Sequence, residues 1–249
     1  MSGSKPAHSG RTALVTGSTS GIGLGIARAL AREGANVILN GLGSDVDIEA
    51  AISDVRSNAT GEIQYSPANM LVPDQISQMI GNANEQFSGI DILINNAGIQ
   101  FVSPIQDFPT EKWNDIIAIN LSSSFHTIRA AAPAMVESGW GRIVNVASIH
   151  SLVASPFKSA YVAAKHGIAG LTKTVALELA TDNVTVNAVA PGYVETPLVT
   201  GQIADTARVR GLTEKEVVED VMLPAQPSSD QASSITGTIL PVDGGWSAQ

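Results

Sequence analysis

Cysteine is absent from the chain, which excludes disulfides and thiolate chemistry and fits a reducing compartment. Cations are scarce: 14 Lys and Arg stand against 23 Asp and Glu, a formal net charge of −9. That balance disfavours a polyanion partner, so nucleic acid is not expected. No apolar run approaches the ~18 residues that span a bilayer, so no membrane segment is expected either. The first ten residues, MSGSKPAHSG, lack the apolar centre of a secretory leader. They are expected to form a short disordered lead-in, and the protein to be cytoplasmic. Internal repeats, low-complexity tracts and linkers are also lacking, so residues 1–249 are read as one domain. A hydrophobic content of 44% is enough to fill a large core.

What is present is alternation. Apolar runs at 12–16, 35–39, 61–66, 90–94, 142–147 and 184–190 read as strands, with a last one at 236–242. Between them lie helical patterns: one through Ile22, Ile26 and Leu30, then 45–58, roughly 74–87, 110–136 and 159–180, with Pro133 expected to disturb the last turn of 110–136. The continuous run IDILI (90–94) suits a strand buried on both faces. Strands alternating with helices predict an α/β fold: a Rossmann-type doubly wound parallel sheet in a three-layer α/β/α sandwich. Right-handed crossovers then put all strand C-terminal ends on one edge.

Chemistry-bearing residues fall at those ends. Gly17, Gly21 and Gly23 follow the first strand at once, with Ser18, Thr19, Ser20 and Ile22 between them. Glycines let a backbone approach a ligand, and a helix N-terminus offers free N–H groups to a phosphate. The spacing, G-x-x-x-G-x-G, differs from the usual dinucleotide fingerprint, and a plain tight turn is the alternative. The second strand ends in Asn40-Gly41-Leu42, with neither an acid for ribose hydroxyls nor a base for a 2′-phosphate. Lacking such a cation, the site is read by elimination as one for NAD. Asn69, after the third strand, is placed to reach the adenine. Asn95, Asn96, Ala97 and Gly98 close the fourth strand, where ligands sit in open α/β sheets, and Gln100 follows in the loop. Asn120 lies inside a helix, where it is a surface residue, a satisfied core residue, a bend or a water site. The reading contains no metal site.

The stretch from Ser148 to Lys165 carries the reactive groups. Tyr161 and Lys165 are four residues apart, one helical turn on one face. An ammonium beside a phenol favours the phenolate. Lowering a tyrosine pKa from ~10 by ~3 units takes ~4 kcal/mol, within reach of a lysine plus a cationic cofactor ring. Ser148, at the end of an apolar strand, can aim its hydroxyl at a substrate oxygen. The combination points to proton transfer by Tyr161 coupled to hydride transfer.

TGSTSGIG (16–23), NNAG (95–98), Asn120, Ser148, YVAAK (161–165) and the PG and TP pairs within 191–197 together resemble the short-chain dehydrogenase/reductase family over most of the chain. The resemblance implies that Tyr161 is the general acid/base and that Ser148 polarises the substrate oxygen. Lys165 would hold the nicotinamide ribose and lower the tyrosine pKa, and Asn120 would anchor a water in a proton relay. It extends the NAD-binding set to Gly41, Leu42, Asn69, Asn95, Ala97, Gly98, Pro191, Gly192, Val194 and Thr196. GSTSGIGLGIA, NNAGIQ, QDFPTEKW (106–113), LVAS with KSAYVAAKHG (152–167) and VDGGW (242–246) are most similar to the family's branch that oxidises D-3-hydroxybutyrate reversibly. By that similarity Gln100, His150, Lys158 and Gln202 hold a substrate carboxylate. A mobile lid spans 198–226, Tyr193 and Trp246 border the pocket, and the protein is a homotetramer paired through helices 110–136 and 159–180. Rival readings are an acyl-carrier-protein ketoreductase, a sugar-acid dehydrogenase or, from another class, a non-catalytic nucleotide sensor.

Three departures from the family pattern stand out. Tyr193 replaces a usual tryptophan. Asn69 replaces a usual aspartate. The stretch between Pro227 and Ser233 is too short for a helix of about twenty residues usual there, leaving a crossover near the lower limit for parallel strands.

Overall fold

The computed structural model describes residues 6–222. Six strands, β1 Thr12–Val15, β2 Asn36–Asn40, β3 Ile63–Ser66, β4 Ile92–Asn95, β5 Gly141–Val146 and β6 Val184–Val189, form one parallel sheet in the order β3-β2-β1-β4-β5-β6. Helices α1 Gly21–Arg32 and α2 Asp45–Arg56 cover one face. Their apolar sides close on Val15, Val37, Leu39 and Ile94. Helices α3 Pro73–Phe87, α4 Thr110–Ile117, α5 Ser123–Ser138 and α6 Ser159–Glu178 account for the rest of the sandwich. The second face is centred on Leu14, Ile38, Leu93 and Ile143. Successive strand residues alternate between the two cores because strand side chains point to opposite faces, which is why the strands read as unbroken apolar runs. The α/β doubly wound expectation therefore holds. The last strand expected at 236–242, the short stretch 227–233 and Trp246 lie outside the described residues.

The boundaries differ in instructive ways. The third strand begins at Ile63 rather than 61, because Gly61 lies against the Ala35 carbonyl, where a Cβ would sit 2.4 Å away. The fourth begins at Ile92 rather than 90: the Asp91 carboxylate accepts from Arg11 at 2.6 Å and from the Thr12 N–H at 2.8 Å. Of the lead-in expected to be disordered, residues 6–10 form a turn whose His8 N–H donates to Glu33 O at the end of α1. Pro133 does not end its helix; α5 runs on to Ser138 and stops at Gly139, which takes a left-handed φ of 66°. Between α4 and α5 the helix widens into a π turn at Ala118–Ser122. Asn120 sits in that turn, and such turns recur at functional sites.

Beyond β6 the chain folds over the strand ends. Thr196 caps α7 Pro197–Thr200, and Gln202 opens α8 Ile203–Arg210. No helix among the described residues is long and apolar enough to cross a membrane.

The glycine turn is held by sterics as well as by hydrogen bonds. A Cβ on Gly23 would lie 2.3 Å from Gly17 O and 2.4 Å from Asn96 Nδ2, whereas one on Gly25 meets nothing within 4 Å. Gly23→Ala is expected to lower stability by ~1–3 kcal/mol through overpacking. Gly25→Ala, on the exposed side of the same helix, is expected to raise it by up to ~1 kcal/mol. Urea unfolding of the pair reads both signs, and equal effects would refute the packing assignment.

Candidate active site

Parallel strands leave their carbonyl ends on one edge, and a crevice of about 310 Å3 runs along it. Gly17, Gly21, Asn40, Gly41, Asn69, Ala97 and Thr196 are among its lining residues. At its floor β1 and β4 are locked together. The Thr16 hydroxyl accepts from the Asn96 and Ala97 N–H groups at 2.9 and 3.0 Å, and Asn96 Nδ2 donates to Thr16 O and Gly17 O, both at 2.9 Å. Gly17 takes φ +61°, and a Cβ there would lie 2.8 Å from Ala97 Cα. Asn40, fully buried, donates to Ser66 O and Ala68 O and so fixes the end of β2 against the chain leaving β3.

These residues fit a dinucleotide. Ser20 precedes α1 without capping it, and the first turn of α1 holds no acid. Its N–H groups thus keep their partial positive charge for a pyrophosphate. Thr19, Ser20, Ile22 and Leu42 also line the crevice, as expected. Of the expected cofactor residues up to Gly98, three do not face it. Ser18 is buried, its hydroxyl donating to Val15 O at 2.7 Å and accepting from the Asn40 N–H at 2.9 Å. Gly23 serves helix-to-strand packing. Asn95 is buried between β4 and β5, its Nδ2 donating to Asn145 Oδ1 and its Oδ1 accepting from Thr127. Thr16 and Asn96, quoted in the sequence only within the motifs TGSTSGIG and NNAG, supply the lock beneath the glycine turn.

A second cleft joins the crevice at Gly98 and Thr196 and is lined by Ile22, Ser148, Tyr161, Lys165, Pro191, Gly192 and Val194. β5 delivers Ser148, and the Ile149 N–H donates to Pro191 O, tying the turn after β5 to the end of β6. The first turn of α6 brings Tyr161 into the same cleft as Ser148. One turn on, the buried Lys165 Nζ donates to Val146 O at 2.7 Å and lies 5.6 Å from the Tyr161 ring centre. Burial lowers the Lys165 pKa to about 8. Burial also raises the Tyr161 pKa, opposed by the nearby Ser148 hydroxyl. The expected lowering rests on Lys165 together with a cationic cofactor ring; without ligand, desolvation of the phenolate is the larger effect. Asn120 is a satisfied core residue, one of the readings left open for it. Both ends of its amide are engaged by Ile99, Oδ1 accepting from the N–H at 2.8 Å and Nδ2 donating to the carbonyl at 2.9 Å. The side chain therefore fixes the loop leading to Gln100.

Beyond Tyr161 the cleft continues into a cavity of about 50 Å3. Gln100, His150, Lys158, Tyr193 and Gln202 meet there with Ser148 and Tyr161. Five sequence-predicted residues from five separate segments are thus brought together. Lys158 is 5% exposed, and its ammonium makes no hydrogen bond or ion pair among the described residues. Its Nζ lies 5.4 Å from the centre of the Tyr193 ring. Burial and then the Arg210 charge lower its pKa to about 8. Burial, then Lys158, lower that of His150. Both amide atoms of Gln100, His150 Nδ1 and Gln202 Oε1 are buried without a partner among the described residues. Phe157, just before Lys158, takes a left-handed φ of 66°, and its carbonyl accepts from the Ser103 N–H. A bulky residue held there marks a turn fixed by its surroundings, and this one aims Lys158 inward.

A family model described as short chain dehydrogenase matches residues 11–207. A D-beta-hydroxybutyrate dehydrogenase of Rhizobium meliloti is 55% identical over 256 positions, covering 96% of this chain and 99% of that one. Another of that name, from Cupriavidus necator, is 50% identical over 258 positions with the same coverage. Both alignments are longer than this chain's 249 residues, so the relatives carry residues with no counterpart here. A solved NAD+-bound xylitol dehydrogenase superposes with a TM-score of 0.83 at 31% identity, covering 89% of this chain and 86% of its own. With the parallel sheet, the glycine turn and the Ser148–Tyr161–Lys165 cluster already in place, these matches establish that the chain belongs to the short-chain dehydrogenase family.

Proposed function

We propose that the protein oxidises D-3-hydroxybutyrate to acetoacetate, reversibly, with NAD as hydride acceptor. The observation that carries this is Lys158: a buried ammonium without an acid partner among the described residues, in the same small cavity as Ser148 and Tyr161. Such a charge is costly unless an anion joins it. The unpartnered atoms of Gln100, His150 and Gln202 supply further polar contacts for a carboxylate. The names of the two relatives support the particular acid and its hand. The absence of any cation at Gly41–Leu42 supports NAD over NADP. Residence in the cytoplasm and a homotetramer built on α4 to α6 belong to the same reading. The tetramer is supported by Trp113, Phe125 and Leu177, which those helices leave exposed.

In this reading the N-terminus of α1 would hold the pyrophosphate of the cofactor, and Tyr161 and Pro191–Val194 would border its nicotinamide. The nicotinamide supplies the acceptor for the hydride that leaves C3. Ser148 and Tyr161 share the substrate hydroxyl, and tyrosinate takes its proton as the carbonyl forms. Because burial raises the Tyr161 pKa, the phenolate needs cationic neighbours, and Lys165, 5.6 Å from the ring centre, is one. The π turn at Asn120 supports a water there that passes the proton outward from Lys165. Lys158, His150, Gln100 and Gln202 hold the carboxylate, which fixes C3 relative to Tyr161. Tyr193 borders the same pocket; Trp246 would complete its apolar wall.

The direct test follows nicotinamide absorbance with D- and L-3-hydroxybutyrate, sugar acids and neutral alcohols, using NAD+ and NADP+. Turnover of the D-acid with NAD+ is expected; a neutral alcohol preferred over the acid would overturn the reading. Tyr161→Phe is expected to lose at least ~100-fold in kcat while NAD+ binding, measured by calorimetry, stays within a few-fold. Retention of most activity would remove Tyr161 from the proton transfer. Carboxylate binding should also depend on pH. Propanoate, which has no hydroxyl to oxidise, needs Lys158 protonated. Its affinity should therefore fall as pH rises through about 8, where the ligand-free lysine titrates. Lys158→Ala is expected to weaken propanoate by roughly tenfold or more below that pH and to abolish the fall above it. An unchanged pH profile in the variant would assign the carboxylate elsewhere.

A further inference from the structure

The end of β2 offers a ribose no free polar side chain. Gly41 has no side chain, Leu42 is apolar, and the buried Asn40 spends its amide on Ser66 O and Ala68 O. An acid usually holds the adenosine ribose at this place. Gly41 and Leu42 still line the crevice, so what they bring to it is backbone. The peptide between them is held from two sides. Tyr65, paired with Leu39 across β2 and β3, donates its hydroxyl to Gly41 O at 2.7 Å. Its ring packs on the core that contains Val37 and Leu39. From the glycine turn, Thr19 Oγ1 would lie 2.5 Å from a Cβ on Gly41. No peptide bond among the described residues is cis, and in a trans peptide the C=O and N–H point in opposite directions. The Leu42 N–H therefore points away from Tyr65, which does not line the crevice. That N–H has no hydrogen-bond partner among the described residues. Burial and then the Asp45 charge raise the Tyr65 pKa, so the phenol stays protonated and remains a donor.

We propose that Tyr65 is a positioning residue for the cofactor: by fixing the Gly41 carbonyl it turns the Leu42 N–H toward the crevice as a donor to the adenosine 2′-hydroxyl oxygen. This rests on the NAD reading above and names the ribose contact that the missing acid leaves open. The sense of the hydrogen bond is reversed. A carboxylate accepts from the hydroxyl, whereas an N–H donates to its oxygen. Because Tyr65 orients the peptide before the ligand arrives, little ordering of the loop is left for binding to accomplish. Without the phenol hydroxyl the Gly41–Leu42 peptide loses that restraint, and part of the binding energy goes into reorienting it.

The test is calorimetric binding of NAD+ and of its analogue lacking the adenosine 2′-hydroxyl to wild type, Tyr65→Phe and Ser57→Ala. The wild type is expected to bind the analogue more weakly than NAD+. Tyr65→Phe keeps the ring and removes only the hydroxyl. It is expected to weaken NAD+ by about three- to tenfold and to leave the analogue within about twofold of wild type, a coupling that general loosening would not produce. Ser57→Ala removes a hydroxyl-to-carbonyl bond of 2.8 Å at the far end of α2 and is expected to change neither. In steady state Tyr65→Phe should raise the KM for NAD+ without lowering kcat, because Gly41 and Leu42 do not border the cleft of Ser148 and Tyr161. Equal loss on both ligands would make Tyr65 a packing residue and overturn the inference. So would a wild type that binds the analogue as tightly as NAD+. A wild type that binds NADP+ and not NAD+ would instead overturn the cofactor reading itself.

Discussion

Four side chains hydrogen-bond in series through the middle of the molecule: Thr127 to Asn95, Asn95 to Asn145, Asn145 to Thr172. They link α5, β4, β5 and α6, and all four are buried. Buried amides are costly unless satisfied, so the chain fixes a single register between these elements. α6 carries Tyr161 and Lys165, and the turn after β5 carries Ser148. The distance from the serine to the tyrosine thus depends on a polar network that touches no ligand. The Thr16–Asn96 lock does the same for β1 and β4, and hence for the glycine turn.

With the frame fixed, the site's chemistry is one of deliberate electrostatic incompleteness. Tyr161 is harder to ionise than a free tyrosine, while Lys158 and Lys165 lose protons more easily than free lysines, all three for want of solvation. In the proposed reaction each perturbation would be relieved by a bound group, a carboxylate beside Lys158 and a cationic ring beside Tyr161. Groups whose environment pushes them away from their ordinary titration behaviour, gathered in one cleft, are the physical sign of an active site.

Most of the fold could be read from the chain. Parallel strands buried on both faces must be continuously apolar, and helices between them must show a 3.6-residue repeat, so the alternation was visible. Pro133 misled because a proline near a helix end can be carried by its neighbours. Asn95 misled because an amide at a strand end reads alike whether it faces a ligand or a buried partner. Only the partner strand, fifty residues away at Asn145, distinguishes the two. Ser18 misled for the same reason, its hydroxyl being taken by Val15 and Asn40.

The sequence by itself determined the class of reaction, since a tyrosine and a lysine one turn later place proton-transfer groups by local helix geometry alone. It also determined the glycine turn, which depends on the absence of side chains. The substrate side was decided by tertiary structure. Gln100, His150, Lys158, Tyr193 and Gln202 lie on five segments, and no local spacing brings them together. Whether Lys158 is an ordinary surface lysine or a buried anion receptor depends on how much water remains around it. That is set by α7 and α8 folding over the strand ends, a long-range packing event to which the periodicity of the chain is blind.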